Sequence, residues 1–441
     1  MKASNNRSTS GPTSVRWRIL LLMALASFIS YVLRYNVSTA APSMMSDLAL
    51  TEIQWGWVLA AFTAGYAVFQ LPGGILGDRL GPRRMLTIIA ILWAVFTVAT
   101  SLVPGQSSSS TGVILVSLIV IRFLVGAAHA PIYPVLNVST MRWFPVGGWA
   151  LPLGLTSTGL TLGVAASAPV LAWMITVVGW RLSFVYLAPL GLLAAATWWW
   201  YVRDDPARHR SVNQAEVDLI RAGRSATEEA SEKPAAGDWL RVLANRDVLL
   251  LTLSYSCMNF VYYIVFSWFF YYLVEIRNFS LTDAGFITSA QWIAGAAGGA
   301  VGGWLCDRMC ATLGLRWGCR WPVIIGMVIS GALLFAGAIH SSETIAIAML
   351  VMCFFFNQMN EGPYWATSVA VGGDQAGAAG GVMNTGANLM GVINALLVPW
   401  FAAMFGWTFA ISSGALFALA GAICMLFVRA DRPVAARAVS S

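Results

Sequence analysis

Long apolar runs alternate with short polar connectors along the whole chain. The runs fall near residues 18–41, 55–77, 85–103, 112–138, 150–174 and 181–202, and again near 248–274, 284–306, 321–339, 343–370, 376–403 and 407–429. Each approaches the roughly 20 residues that a helix needs to cross a bilayer. They are continuous rather than alternating, which predicts helices and not a barrel. The pattern is six spans, a charged linker and six spans. It predicts an all-α integral membrane protein with twelve transmembrane helices in two pseudo-symmetric six-helix bundles. The divisions are a tail (1–17), the first bundle (18–203), a linker (204–247), the second bundle (248–429) and a second tail (430–441). The first run is longer than a signal-peptide core and has no convincing cleavage site, so it reads as a retained span.

The halves echo each other. "GILGDR" (74–79) follows span two and "GWLCDR" (303–308) follows span eight, 229 positions later. Internal repeats of this kind are a feature of transporters.

Composition sharpens the class. Hydrophobic residues make up 58% of the chain and charged ones 10%, against about 25% charged in soluble domains. Of the 26 Lys and Arg, all but Arg34, Arg122, Arg181 and Arg277 fall in the tails, the linker or the connectors of one side. The positive-inside rule places that side, with both termini, in the cytoplasm. The same bias accounts for the net charge of +7 without a nucleic-acid partner. The lipid bilayer is the expected surrounding, and the chain is read as a monomer in a bacterial inner membrane. The six Cys show no secreted disulfide spacing and read as reduced, structural thiols. Cys306 and Cys310 are spaced for a metal, but a second close pair and a nearby His are missing, so no metal is assigned. No nucleophile motif, phosphate loop or extramembrane catalytic domain points to an enzyme.

Candidate chemistry lies inside the spans. In "FISYVLRYNVSTAAP" (28–42), Arg34 has no acidic residue closer than Asp47. A charge at mid-bilayer costs about 2.5–3.5 kcal/mol on insertion scales, and such residues mark substrate or ion paths. Tyr31 lies one turn away on the same face. Arg122, Gly126, His129 and Tyr133 share one helical face, as do Asn357, Glu361, Trp365 and Ser368. Gly362-Pro363 is placed to break the second of these helices. Asn384 and Asn388 are one turn apart, and Tyr263 and Gln291 are further cavity candidates. "TWWWY" (197–201) reads as an interfacial anchor.

"GGILGDRLGPRR" (73–84) resembles the signature loop between spans two and three of the major facilitator superfamily. The resemblance implies the twelve-helix major facilitator fold. It also implies gating at the cytoplasmic face by Gly77, Asp78, Arg79, Arg83 and Arg84, echoed by Asp307 and Arg308. "QWGWVLAAFTAGYAVFQLPGG" (54–74), "RFLVGAAHAPIYP" (122–134), "RWFP" (142–145), "DDPARHRSVNQAE" (204–216) and "YSCMNFVYYIVFSWFFYYLVE" (255–275) are similar to the anion:cation symporter branch. That branch contains sugar-acid permeases, sialin-like carriers and vesicular glutamate carriers.

The resemblance implies transport of a small organic anion by alternating access, often coupled to H+, with no cofactor. Arg34 matches the branch's substrate-binding arginine and Arg122 its span-four arginine. Trp365 matches a substrate-lining aromatic, and Asn388, more than Asn384, a substrate-facing amide. Two departures stand out. Leu33 occupies the place of an acid in span one, and His129 that of a Glu in span four. Proton coupling therefore passes to His129 or Glu361, or is lost. His129 either titrates or stays neutral and hydrogen-bonded. Glu361 either carries the proton, pairs with a substrate ammonium, or has no role. Alternatives to anion symport are zwitterion transport, uniport or anion exchange, and a membrane sensor that no longer transports.

Overall fold

Capping side chains set several helix starts. Thr51 Oγ1 accepts from Gln54 N at 3.3 Å while Gln54 Oε1 accepts from Thr51 N at 2.9 Å, a reciprocal box that opens Glu52–Leu80. Asn245 accepts from the amides of Asp247 and Val248 and opens Arg246–Tyr263. Ser280 does the same for Leu281–Ile339.

The computed structural model describes residues 11–145, 150–221 and 242–431, without the side chains of residues 71, 74, 75, 78, 150, 374 and 377. The helical passes, in order, start with Val15–Leu48, Glu52–Leu80 and Pro82–Ser101. Pass 4 is Thr111–His129 continued by Ile132–Trp143, and passes 5 and 6 are the two limbs of Ala150–Tyr201. Pass 7 is Arg246–Ile276, and passes 8 and 9 are the limbs of Leu281–Ile339. Pass 10 is Glu343–Gln358 continued by Glu361–Gly372, pass 11 is Ala376–Phe405, and pass 12 is Trp407–Ser412 continued by Gly414–Phe427. Twelve passes result, and no strand occurs among the described residues.

Several boundaries differ from those expected. The first helix runs seven residues past position 41, through Pro42. The connectors expected at 175–180 and 307–320 shrink to single glycine turns at Gly179 and Gly314. Their dihedrals explain why. Gly179 (φ 76°, ψ 166°) and Gly314 (φ 76°, ψ 165°) occupy a region essentially closed to other residues, so one residue reverses the chain. Gly81 (φ 80°, ψ 154°) and Gly406 (φ 85°, ψ 163°) do the same between passes 2 and 3 and between 11 and 12.

These turns expose the internal repeat. Gly81 pairs with Gly314, and Gly179 with Gly406. Arg83 and Arg316 stand two residues after their glycines, and each meets an aspartate just beyond the last pass of its half. Arg83 N donates to Asp204 Oδ1 at 2.8 Å, and Arg316 Nε lies 3.9 Å from Asp431 Oδ1. The breaks in passes 4 and 10, at Ala130-Pro131 and Met359-Asn360, are also equivalent. Pro134 and Pro363 sit four residues after Ala130 and Met359 and cannot donate to those carbonyls, which is why each helix opens there.

The expected surface linker is described only at its ends. The short helix Gln214–Arg221 is bound to the start of the first pass. Buried Glu216 accepts from the amides of Val15 (3.2 Å) and Arg16 (3.0 Å) and pairs with the Arg16 guanidinium at 3.3 Å. A carboxylate at a helix N-terminus satisfies free amides and complements the helix dipole.

The glycine turns carry a prediction. Gly314→Ala and Gly179→Ala should each lower the thermal midpoint of the purified protein, by the equivalent of roughly 1–3 kcal/mol. Gly154→Ala, whose new methyl meets nothing within 4 Å, should leave it unchanged. Equal midpoints for all three would refute the strain argument.

Candidate functional site

Arg34 and Arg122 project from passes 1 and 4 into the middle of the first half, where both are almost fully buried. The Phe62 ring lies beside each of them. The Arg34 guanidinium carbon is 4.9 Å from the ring centroid and that of Arg122 is 4.8 Å away. The two charges are therefore no more than about 10 Å apart. Arg34 also lies over Tyr31, Tyr66 and Phe266 at 5.0–5.2 Å, and its Nη1 donates to Tyr31 Oη at 2.9 Å. Nε of both arginines lacks a hydrogen-bond partner. Among the described residues, neither arginine forms an ion pair.

Between the arginines lies a small cavity lined by Arg34, Phe62, Thr63, Arg122, Tyr263 and Phe266, with the hydroxyls of Ser38 and Ser267 nearby. Its volume of about 10 Å³ matches a single water. In this conformation the aromatic rings close over the cations, and a larger ligand enters only when the helices part.

Glycines on passes 2 and 4 position Phe62. A Cβ on Gly126 would lie 2.0 Å from Phe62 O, and one on Gly65 would lie 2.1 Å from Phe123 O. Small residues let the two backbones touch. Pass 7 closes the other side with two π-helical turns, Ile264–Trp268 and Tyr272–Ile276. Single π-turns inside α-helices are frequent at functional sites.

The residues of the expected pass-4 face make separate contacts. Gly126 meets pass 2, and Tyr133 Oη lies 3.2 Å from Ser27 Oγ. His129 is buried between Trp93, stacked at 4.9 Å, and Phe62. Its Nδ1 faces Val125 O at 2.9 Å and its Nε2 faces Ser30 O at 3.2 Å. A neutral imidazole donates to only one of these carbonyls. His129 thus packs pass 4 against passes 1, 2 and 3, and it is not among the residues that line the cavity.

A second polar cluster lies further along pass 7. Glu361 Oε1 accepts from Tyr255 Oη and from Trp365 Nε1, both at 2.8 Å. Among the described residues no cation pairs with Glu361. Trp365 is 40% exposed, although its ring packs near Tyr255 on pass 7 and Gly380 on pass 11. Tyr255 and Tyr263 are eight residues apart on pass 7, about 12 Å of helix rise. Asn388 links the halves: its Nδ2 donates to Gln70 Oε1 on pass 2 at 3.3 Å, and its Oδ1 accepts from Tyr263 Oη at 3.4 Å. Asn384, one turn away, offers Asn388 only its backbone carbonyl. Gln291 is fully buried and donates to Leu350 O at 3.4 Å, within the second half and away from the arginines.

The expected gate divides. Gly77 packs on Val135, and Arg79 and Arg84 are exposed. Arg83 engages Trp199 O at 2.9 and 2.7 Å and stacks on the Trp199 ring, holding pass 3 to the end of pass 6. The Asp78 side chain lies outside the described residues. Asp307 is exposed, as is Arg308, which lies over Trp304.

The opposite end holds a contact that sequence reasoning missed. Glu52 Oε1 on the first half accepts from Tyr271 Oη at 3.1 Å and Trp407 Nε1 at 2.8 Å, both on the second half. Beside it, a Cβ on Gly56 would lie 2.4 Å from Ala395 O. In sequence, Glu52 reads only as an acid in a helix first turn. Phe62, Tyr66 and Phe266 were missed for a similar reason, since aromatic residues in an apolar span carry no polar signal.

The comparisons agree with this architecture. The model of the Major Facilitator Superfamily matches residues 23–314. A probable sulfoacetate transporter of Cupriavidus necator is 30% identical over 94% of each chain. A hexuronate transporter of Bacillus subtilis is 29% identical over 94% of each. A probable galactarate/D-glucarate transporter of B. subtilis is 28% identical over 88% of this chain and 86% of its own. Among solved structures, an inward-facing, occupied bacterial homolog of the human lysosomal transporter Spinster superposes with a TM-score of 0.75, at 17% identity over 95% and 97% of the two chains. A D-xylose–proton symporter gives 0.74, at 14% identity over 94% and 98%. The chain belongs to the Major Facilitator Superfamily, has its fold, and is a multi-pass membrane protein and not an enzyme.

Two adjacent buried cations without a counter-charge predict a trade between stability and binding. Arg122→Met keeps the bulk and removes one charge. It should raise the thermal midpoint of the ligand-free protein, since replacing buried charge by apolar bulk often stabilises by about 1–4 kcal/mol. A lowered midpoint would mean that Arg122 is a structural support.

Proposed function

We propose that this chain is a secondary carrier of a small organic anion, working by alternating access in symport with a proton. The observation that carries the reading is the pair of buried guanidinium groups, Arg34 and Arg122, facing one cavity with no carboxylate partner among the described residues. Guanidinium groups bind carboxylates and related oxyanions through paired charge-assisted hydrogen bonds and stay charged at any working pH. Relatives named for sugar acids and sulfoacetate support the class. The carrier acts as a monomer in a bacterial plasma membrane, with its basic end and both termini in the cytoplasm.

Arg34 is the primary anion contact. Tyr31 orients it, Arg122 adds the second charge, and Tyr263, held by Asn388, borders the anion. The Glu52 clasp closes the non-cytoplasmic end, and exposed Trp365 lies on the side from which the cavity opens. The anionic reading is favoured over a zwitterion by the relatives named for sugar acids and sulfoacetate.

Glu361 is the proton carrier. It is only partly buried, holds neutral donors alone, and sits on the helix pair that bears Trp365 and Tyr255. His129 has a packing role between passes 1, 2, 3 and 4.

Two measurements test this reading. A panel of organic acids should raise the thermal midpoint of the purified protein, and Arg34→Ala should abolish the shift, losing about 2–5 kcal/mol of binding. Anion shifts that survive in Arg34→Ala would overturn the assignment. Uptake by proteoliposomes should lose its dependence on external pH in Glu361→Gln and keep it in His129→Gln. The reverse pattern would transfer the proton to His129.

A further inference from the structure

Three thiols meet at the basic end of the second half, away from the cavity. Cys306 and Cys310 are one turn apart near the end of pass 8, and Cys319 stands on pass 9, just after the Gly314 turn. The turn folds the helices so that Cys306 Sγ lies 4.0 Å from Cys310 Sγ, which lies 3.6 Å from Cys319 Sγ. All three sulfurs are within 4.8 Å of one another. Gly318 permits the approach, because a Cβ there would fall 2.4 Å from Cys310 Cα and 2.7 Å from its Sγ. Cys306 and Cys319 are buried, Cys310 is half-buried, and none is in a disulfide. The fold brings in Cys319, nine residues from Cys310 in sequence, as a third thiol.

The spacing suits an ion. A metal–sulfur bond of about 2.3 Å sets sulfurs roughly 3.8 Å apart in a tetrahedron and roughly 4.0 Å apart in a trigonal plane. The donors are all sulfur, with no His or carboxylate in the group, a set that selects soft ions. Three donors suit a trigonal ion better than the four-coordinate sites of structural zinc. We propose that Cys306, Cys310 and Cys319 form a trithiolate site for a soft metal ion of the Cu(I) class. Binding releases thiol protons and changes no oxidation state.

The location gives the site a consequence. Asp307 and Arg308, the second half's echo of the first half's signature loop, lie between two of the ligands. Cys319 is followed by Arg320, whose guanidinium donates to Val428 O at the end of pass 12. A bound ion pins passes 8 and 9 together beside the end of pass 12.

The test uses the full-length protein, reduced and anaerobic, titrated with Cu(I) against the chelator bathocuproine disulfonate. One chelator-competitive equivalent should bind with thiolate-to-copper absorption in the ultraviolet. It should be lost in Cys310→Ser and Cys319→Ser and kept in Cys257→Ser and Cys424→Ser. In the unmutated protein, Cu(I) should shield three of the six thiols from N-ethylmaleimide, a reading independent of how the variants fold. The proposal is overturned if no equivalent binds, if Cys319→Ser retains it, if no thiol is shielded, or if Zn(II) alone binds one-to-one.

Discussion

The structure is organised around two positive charges that share one aromatic ring. Arg34 and Arg122 both lie against Phe62, with no anion among the described residues to offset them. At a separation of at most about 10 Å and an effective dielectric near 20, their repulsion is at least on the order of 2 kcal/mol, beyond the cost of burying each. Aromatic faces recover part of that, about 0.5–2 kcal/mol for each contact. The remainder is a standing deficit, which an arriving anion removes. On the proposed function, the same charges that cost stability in the closed state supply the free energy of recognition.

Holding that pair in place explains much of the surrounding fold. Gly65 and Gly126 bring passes 2 and 4 into backbone contact, which sets Phe62 against Arg122. His129 packs between passes 1, 2, 3 and 4, and the π-turns of pass 7 carry Phe266 over Arg34. The Glu52 contacts with Tyr271 and Trp407 then join the halves at one end. Few of these contacts are strong alone. Hydrogen bonds between neutral groups and a carboxylate are each worth about 1.5–3 kcal/mol, small enough to break and reform as the halves rock.

Much of this was legible in the sequence, and the limits are physical. Run lengths gave the twelve passes, and Arg34 stood out because a lone charge in an apolar run is costly. The polar face of pass 4 followed from helical spacing. Spacing could not tell which face looks at the cavity, so it could not show that His129 is packed between helices and outside the cavity lining. Gln291 was misplaced for the same reason, as it faces pass 10 inside its own half. Single-glycine turns were invisible because a glycine in an apolar run has many uses. The hub at Asp204, which binds Arg83 and Arg142 and packs on Gly81, is tertiary and leaves no local pattern. The cysteine cluster needed the Gly314 turn to bring Cys319 to the other two.

The central claim is that the arginine pair recognises and moves an anion. Its most direct test is uptake of radiolabelled six-carbon sugar acids, sulfoacetate and the matching neutral sugars into proteoliposomes by the unmodified protein and by Arg34→Ala. The account predicts that at least one of the anions accumulates, that the neutral sugars do not, and that Arg34→Ala abolishes accumulation while still reconstituting. Uptake of neutral sugar alone, or anion uptake undiminished in Arg34→Ala, would contradict it.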